Sequence, residues 1–125
     1  MIVLDTSVLI EALGAGGSMT AELRRVIAEG QRMVLPTLVL YEWLRGPRLP
    51  EELEAQEAVL PAAEAIAFGP DEAALAARLY RQAPRRRGRE VDLAIAACAI
   101  AWNAELWTLN VADFSDLPGL SLRGP

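Results

Sequence analysis

A chain of 125 residues, of which 53% are hydrophobic and 23% charged, predicts one packed domain with a single core rather than a disordered chain. The sequence has no histidine, which excludes Ser-His-Asp and Cys-His catalysis and histidine metal sites. All 12 basic residues are arginine, and the absence of lysine excludes Walker-type phosphate loops and Schiff bases. With 17 acidic residues and a net charge of −5, the chain is unlike a typical basic nucleic-acid binder, so any enzymatic chemistry must rest mainly on carboxylates.

Neither a membrane segment nor a secretory signal is expected. No apolar run approaches the ~18–20 residues that cross a bilayer. The first ten residues carry Asp5 and lack a basic segment, which is unlike a signal peptide. Cys98 is the single cysteine, so an internal disulfide is impossible and a reducing compartment fits. We therefore expect a cytoplasmic protein with no membrane contact.

Short apolar runs and amphipathic segments alternate along the chain. The runs predict strands, of which the third is weak; they lie at residues 2–4, 33–35, 65–68, 106–109 and 120–122. The intervening segments predict helices at residues 6–13, from a cap at Ser18 through Glu29, from a cap at Thr37 past Arg45, and at residues 50–60, 71–83 and 91–103.

This alternation is typical of an α/β domain. We expect one domain over residues 1–125, with a mainly parallel central sheet of about five short strands and helices on both faces. In open sheets of this kind, ligands bind outside the carboxyl ends of the strands. Four acids are expected at that edge because each follows a strand or opens a helix there: Asp5, Glu42, Asp92 and Asp113.

Taken singly, each of these acids has an ordinary structural explanation. Asp5 is a possible helix cap, Asp92 suits the first turn of a helix, and Glu42 and Asp113 suit solvated positions. Together they are harder to explain, because two like charges ~4 Å apart repel by about 4 kcal/mol at an effective dielectric near 20. Converging carboxylates need protons or a cation, and hard oxygen ligands suit Mg²⁺ or Mn²⁺. Such ions support phosphodiester hydrolysis without histidine.

Four segments of the sequence resemble a known family. "IVLDTSVLI", "PTLVLYEWLRG", "REVDLAIAACA" and "LWTLNVADFSDLPGL" are similar to the four acidic motifs of PIN-domain ribonucleases, and most similar to VapC-type toxins of toxin–antitoxin pairs. The resemblance extends from Met1 to about Leu122. It implies a PIN-like fold and a Mg²⁺- or Mn²⁺-dependent endoribonuclease.

The resemblance also implies roles for individual residues and partners. Asp5, Asp92 and Asp113 would contact the metal, and Glu42 would act through water. Nearby polar side chains would hold these acids in place: Thr6, Ser7, Thr108 and Asn110. The implied partners are an RNA substrate, a second copy of the chain in a homodimer, and a small VapB-like antitoxin that blocks the site. Two alternatives stay open: a PIN nuclease of RNA processing or decay without an antitoxin, and a non-catalytic PIN domain that binds RNA or protein.

Arginines crowd the stretch "PRRRGRE", which ends just before Asp92. A charge run of this kind is either a solvated loop or a clamp for RNA phosphates beside an acidic site; the candidates are Arg85, Arg86, Arg87 and Arg89. Arg45 lies one helical turn from Glu42 and is a possible ion-pair partner for it. The additional acid Asp116 is expected to be an ordinary exposed loop residue.

The phosphate-clamp hypothesis predicts that replacing Arg85, Arg86 and Arg87 with alanine weakens RNA binding and flattens its salt dependence. Metal affinity should stay nearly unchanged. The measurement is RNA affinity at several salt concentrations. Wild-type affinity and salt slope in the triple variant would mean that the arginine loop is merely solvated.

Overall fold

The computed structural model describes residues 1–83 and 88–124. Three of the predicted phosphate ligands, Arg85, Arg86 and Arg87, lie outside the described residues, so their role stays a prediction.

The described residues form one parallel sheet of four strands. These are β1 (Ile2–Leu4), β2 (Met33–Val34), β3 (Glu105–Trp107) and β4 (Ser121–Arg123), in the spatial order β2-β1-β3-β4. Val3 of the central strand β1 pairs with Val34 on one side and Leu106 on the other. Successive side chains of a strand point to opposite faces, and all three β1 residues are fully buried, so both faces of the sheet are covered here.

Helices connect the strands and surround them. They are α1 (Thr6–Leu13), α2 (Thr20–Ala28), α3 (Thr37–Arg45), α4 (Pro50–Val59), α5 (Pro70–Gln82), α6 (Glu90–Ala101) and α7 (Val111–Phe114), with a 3₁₀ turn at Ala62–Glu64. Every consecutive residue from Leu93 to Ala99 is buried, since α6 lies between α5, α3 and β3. Its alanines and Cys98 allow this close approach on all sides. In the described parts of the chain, no helix is both long and apolar enough to cross a membrane.

The predicted α/β class and parallel sheet are confirmed, and α1 has the predicted bounds. Other helix ends differ by one or two residues. One of these differences arises at Ser18, which was predicted to cap α2. Its hydroxyl instead donates to Glu11 Oε2 at 2.7 Å, and the helix begins at Thr20.

The predicted strand at 65–68 is wrong. This segment makes only an isolated bridge, in which Ile66 lies opposite Pro36, with Thr37 N–H donating to the Ile66 carbonyl at 2.9 Å. The pairing cannot extend past this bridge because α3 begins at Thr37, and the alanine-rich sequence around Ile66 has low strand propensity. The described sheet therefore has four strands rather than about five.

The end of β3 also differs from the prediction, because the strand stops at Trp107 and the predicted "NVADF" loop contains the short helix α7. β1 and β3 run parallel side by side, so their carboxyl ends lie together. Asp5 N–H donates to the Trp107 carbonyl at 2.9 Å. This contact places Asp5 beside Thr108 at one edge of the sheet.

Candidate active site

Asp5 lies at the N-cap position of α1, but its side chain makes no capping hydrogen bond. It is 4% exposed, and its Oδ2 accepts hydrogen bonds from Ser7 Oγ at 2.9 Å and from Thr108 Oγ1 at 2.8 Å. The capping explanation of Asp5 is therefore not supported. The carboxylate is held by two hydroxyls that come from different parts of the chain.

Those two hydroxyls are themselves oriented by the backbone. Ser7 Oγ accepts the Leu109 N–H at 3.1 Å, and Thr108 Oγ1 accepts the Asn110 N–H at 3.0 Å. Each hydroxyl has a single proton, and with the acceptor side occupied that proton is directed to Asp5. Both donors meet at Oδ2, and among the described residues no donor reaches Oδ1, which is left available to a ligand.

The predicted support residues thus contribute in different ways. Ser7 and Thr108 contact Asp5 directly, and Thr6 contacts Glu42. Asn110 contributes its backbone N–H, while the residue itself is exposed.

Glu42 lies on α3 with its side chain only 22% exposed. Thr6 Oγ1 on α1 donates to Oε1 at 2.6 Å, so the carboxylate is bound across two helices. Oε2 lies 3.7 Å from Arg45 Nη2, which matches the predicted pairing one turn along the helix. Because Arg45 is largely exposed, this pair contributes little to stability. Because Thr6 binds its carboxylate, Glu42 is not simply a solvated residue on the surface of a helix.

Asp92 is the third residue of α6, in its first turn. Its pKa is raised to about 6, first by burial and then by the charges of Asp5, Asp113 and Glu42, while Arg89 opposes the shift. A helix-start carboxylate would ordinarily be stabilised in its charged form by the helix dipole. The upward shift shows that three other acids lie within electrostatic range of Asp92. The structure therefore brings together all four predicted acids.

Asp113 lies on α7, the short helix that the sequence interpretation treated as a loop. The helix follows β3 by three residues, so it begins at the same edge of the sheet as Asp5. Its Asp113 carbonyl accepts a hydrogen bond from Arg89 Nη2 at 3.2 Å. Asp113 therefore lies at the predicted edge of the sheet, but on a short helix instead of in a loop.

The structure corrects one prediction at this edge. Arg89 was predicted to bind RNA phosphates, but its side chain is buried and forms two hydrogen bonds with the carboxylate of Asp116, at 2.8 and 3.0 Å. Asp116 lies in a turn and is exposed, as predicted for a loop residue, and its side chain is the acid of this pair. The two residues are 27 positions apart, so neither local spacing nor composition indicated the contact.

The donor set suits a hard divalent cation, since all four side chains offer carboxylate oxygens, and no side chain or backbone donor in the part of the chain that the structure describes reaches Oδ1 of Asp5. Within residues 1–83 and 88–124, however, no three acidic, histidine or cysteine side chains form a ready-made metal cage as they stand. Enclosing an ion would therefore require side-chain rotation. The charge of the ion would offset the repulsion from the other acids that, together with burial, raises the pKa of Asp92.

Comparison with known proteins identifies the family of this chain. A family model described as "PIN domain" matches residues 2–120. The chain belongs to the PIN domain family. This PIN domain is 33% identical over 122 residues to "Ribonuclease VapC19" of Mycobacterium tuberculosis, in an alignment covering 96% of this chain and 97% of the relative.

Solved structures share the fold. The PIN domain superposes on a chain of VapBC2 from Rickettsia felis, bound to a DNA fragment from its promoter, with a TM-score of 0.78 at 24% identity, covering 100% of this chain and 99% of the other. For DNA-bound VapBC from Salmonella typhimurium the TM-score is 0.75 at 20% identity, covering 98% and 96%.

The raised pKa of Asp92 predicts a pH-dependent stability difference. Because the folded-state pKa lies above the ordinary value of 3.8, ionised Asp92 costs stability as the pH rises from about 4 through about 6. In EDTA, Asp92→Asn should therefore melt at a higher temperature than wild type at pH 8, and the difference should vanish near pH 4. Thermal melting across this range is the measurement.

Glu90→Gln is the matched control, because this substitution removes the same charge from the same helix turn, but at an exposed position. It should show no such stabilisation at pH 8. A difference between Asp92→Asn and wild type that is constant from pH 4 to pH 8 would contradict the proposed clustering of charge around Asp92.

Proposed function

We propose that this PIN domain is a metal-dependent endoribonuclease that hydrolyses RNA phosphodiester bonds, and that it is the toxin of a VapBC-type toxin–antitoxin pair. The observation that carries the proposal is the convergence of Asp5, Glu42 and Asp113 on Asp92 at the carboxyl edge of the sheet. The near full-length similarity to a protein named as a ribonuclease supports the same activity.

Mg²⁺ or Mn²⁺ would be held by Asp5, Asp92 and Asp113, with Glu42 acting through water. When bound, the ion would activate water for attack on phosphorus and stabilise charge on the leaving oxygen. The chain's own residues position these acids. Ser7 and Thr108 hold Asp5 through its Oδ2, and Thr6 orients Glu42 from the neighbouring helix.

An acidic site that acts on RNA needs positive charge for its substrate. The proposed phosphate ligands are Arg85, Arg86 and Arg87, which follow α5 and precede α6. Arg45 adds an exposed guanidinium beside Glu42, with its side chain 59% exposed. Arg89 is removed from this set because its guanidinium is bound to Asp116.

The proposed partners are a small VapB-like antitoxin and a second copy of the chain. Tyr41 and Leu44 on α3 and Leu49 just after it are each more than half exposed, and together they offer apolar area for a protein contact. We also propose that the protein acts in the cytoplasm, where its RNA substrate is found and a free thiol such as Cys98 is stable. An upstream reading frame for a small DNA-binding protein would support the antitoxin.

The activity predicts metal-dependent cleavage that fails when one acid is neutralised. Purified protein should cut single-stranded RNA with Mg²⁺ or Mn²⁺ and stop in EDTA. Asp92→Asn should fold but cut at least ~100-fold more slowly, the scale of a lost transition-state contact. The measurement is initial cleavage rate at matched protein concentration, with folding checked by melting.

Glu90→Gln again serves as the control and should cut at the wild-type rate. Undiminished cleavage in EDTA would contradict the metal mechanism. RNA binding without cleavage in either metal would favour the non-catalytic alternative, and a folded Asp92→Asn protein that cuts normally would return Asp92 to a helix-start role.

A further inference from the structure

The Arg89–Asp116 pair is unlike the other ion pairs at the surface of the protein. The Arg89 side chain is 7% exposed and that of Asp116 is 31% exposed, whereas Arg25 and Glu22 of an ordinary pair on α2 are 55% and 45% exposed. Both oxygens of Asp116 accept from the guanidinium, Oδ2 from Nη1 at 3.0 Å and Oδ1 from Nη2 at 2.8 Å. A two-bond contact of this kind fixes orientation as well as distance.

The pair also connects two pieces of the candidate site. Arg89 is the N-cap residue of α6, three positions before Asp92. Asp116 lies just beyond α7, three positions after Asp113. The same Nη2 that binds Asp116 also donates to the Asp113 carbonyl at 3.2 Å, so one guanidinium holds both the backbone of α7 and the side chain of Asp116, two residues beyond the helix.

Without this contact α7 has little to fix it, since it has only four residues and buries a single one of them, Phe114. A helix of one turn is not stable by itself. Its orientation against α6 therefore depends on Phe114, on the buried Leu117 that follows it, and on the bonds from Arg89. Arginine suits this role because its planar group offers several donors in fixed directions, which lysine does not.

We propose that Arg89 and Asp116 are positioning residues, whose ion pair holds α7 against the start of α6 and so keeps the Asp113 carboxylate beside Asp92. This inference rests on the proposed function, because the position of Asp113 matters through the metal that the cluster is proposed to hold. It assigns to Arg89 a role in shaping the site instead of a contact with RNA.

The experiment compares Asp116→Ala, Asp116→Glu and Arg89→Lys with wild type in the full-length protein. Mn²⁺ affinity is measured by titration with detection of free Mn²⁺ by electron paramagnetic resonance, and kcat and KM are measured on a short single-stranded RNA. Asp116→Ala and Arg89→Lys should bind Mn²⁺ at least ~10-fold more weakly, as is typical when a residue that orients a ligand is lost. Their kcat should fall while KM stays near the wild-type value.

Two further variants control for structure and charge. Asp116→Glu retains two carboxylate oxygens and should recover most of the Mn²⁺ affinity. Glu22→Gln removes an acid from the exposed α2 pair and should match wild type in both measurements. Melting curves identify any variant that fails to fold; the partly exposed Asp116 substitutions keep the test decisive if Arg89→Lys does not fold.

Wild-type Mn²⁺ affinity in folded Asp116→Ala would overturn the positioning role and leave the proposed function intact. A raised KM with unchanged Mn²⁺ affinity in Arg89→Lys would also overturn it, and would restore Arg89 as an RNA contact. If wild type itself neither binds Mn²⁺ nor cuts RNA, the proposed function fails and the positioning role fails with it.

Discussion

Repulsion among four carboxylates at one edge of the sheet is the constraint on which the rest of the site depends. Its effect is visible at Asp92, whose proton is held more tightly because of burial and because of the other three acids. Neutral donors hold two of those acids in place, since Ser7 and Thr108 bind Asp5 and Thr6 binds Glu42. Hydroxyls orient a carboxylate without neutralising it, so the cluster keeps the negative charge that a divalent cation requires.

The parallel sheet explains why distant residues form this cluster. β1 is the buried central strand and β3 its neighbour, so Asp5 and Thr108 are adjacent although 103 positions separate them. α6 begins at this edge, with Asp92 in its first turn, and runs back along the sheet to the start of β3. β3 then leads to α7 at the same edge, which brings Asp113 toward Asp5 and Asp92. The fold stabilises this arrangement through its core, in which β1 and residues 93–99 of α6 are buried.

Much of this arrangement followed from local sequence signals. The sequence predicted that four carboxylates lie at one edge of the sheet. The signals were an apolar run ending at Asp5, a helix at Thr6–Leu13 whose bounds are confirmed, and acids that follow predicted strands or open a helix. The errors arose where tertiary contacts outweighed local preference. Ser18 bonds to Glu11 instead of capping α2, and the start of α3 at Thr37 leaves only one bridge between Pro36 and Ile66. The Arg89–Asp116 pair joins residues far apart in the chain, and a contact of this kind cannot be predicted from the periodicity of the sequence.

The most direct test of the account is to locate the metal. A crystal of the wild-type protein grown with Mn²⁺ and measured near the manganese absorption edge should show an anomalous peak among the carboxylates of Asp5, Asp92 and Asp113, with Asp5 Oδ1 as one ligand. The same crystal form of Asp92→Asn should show a weaker peak or none. A fully occupied manganese at another place, with these three carboxylates bonded only to protein and water, would contradict the account.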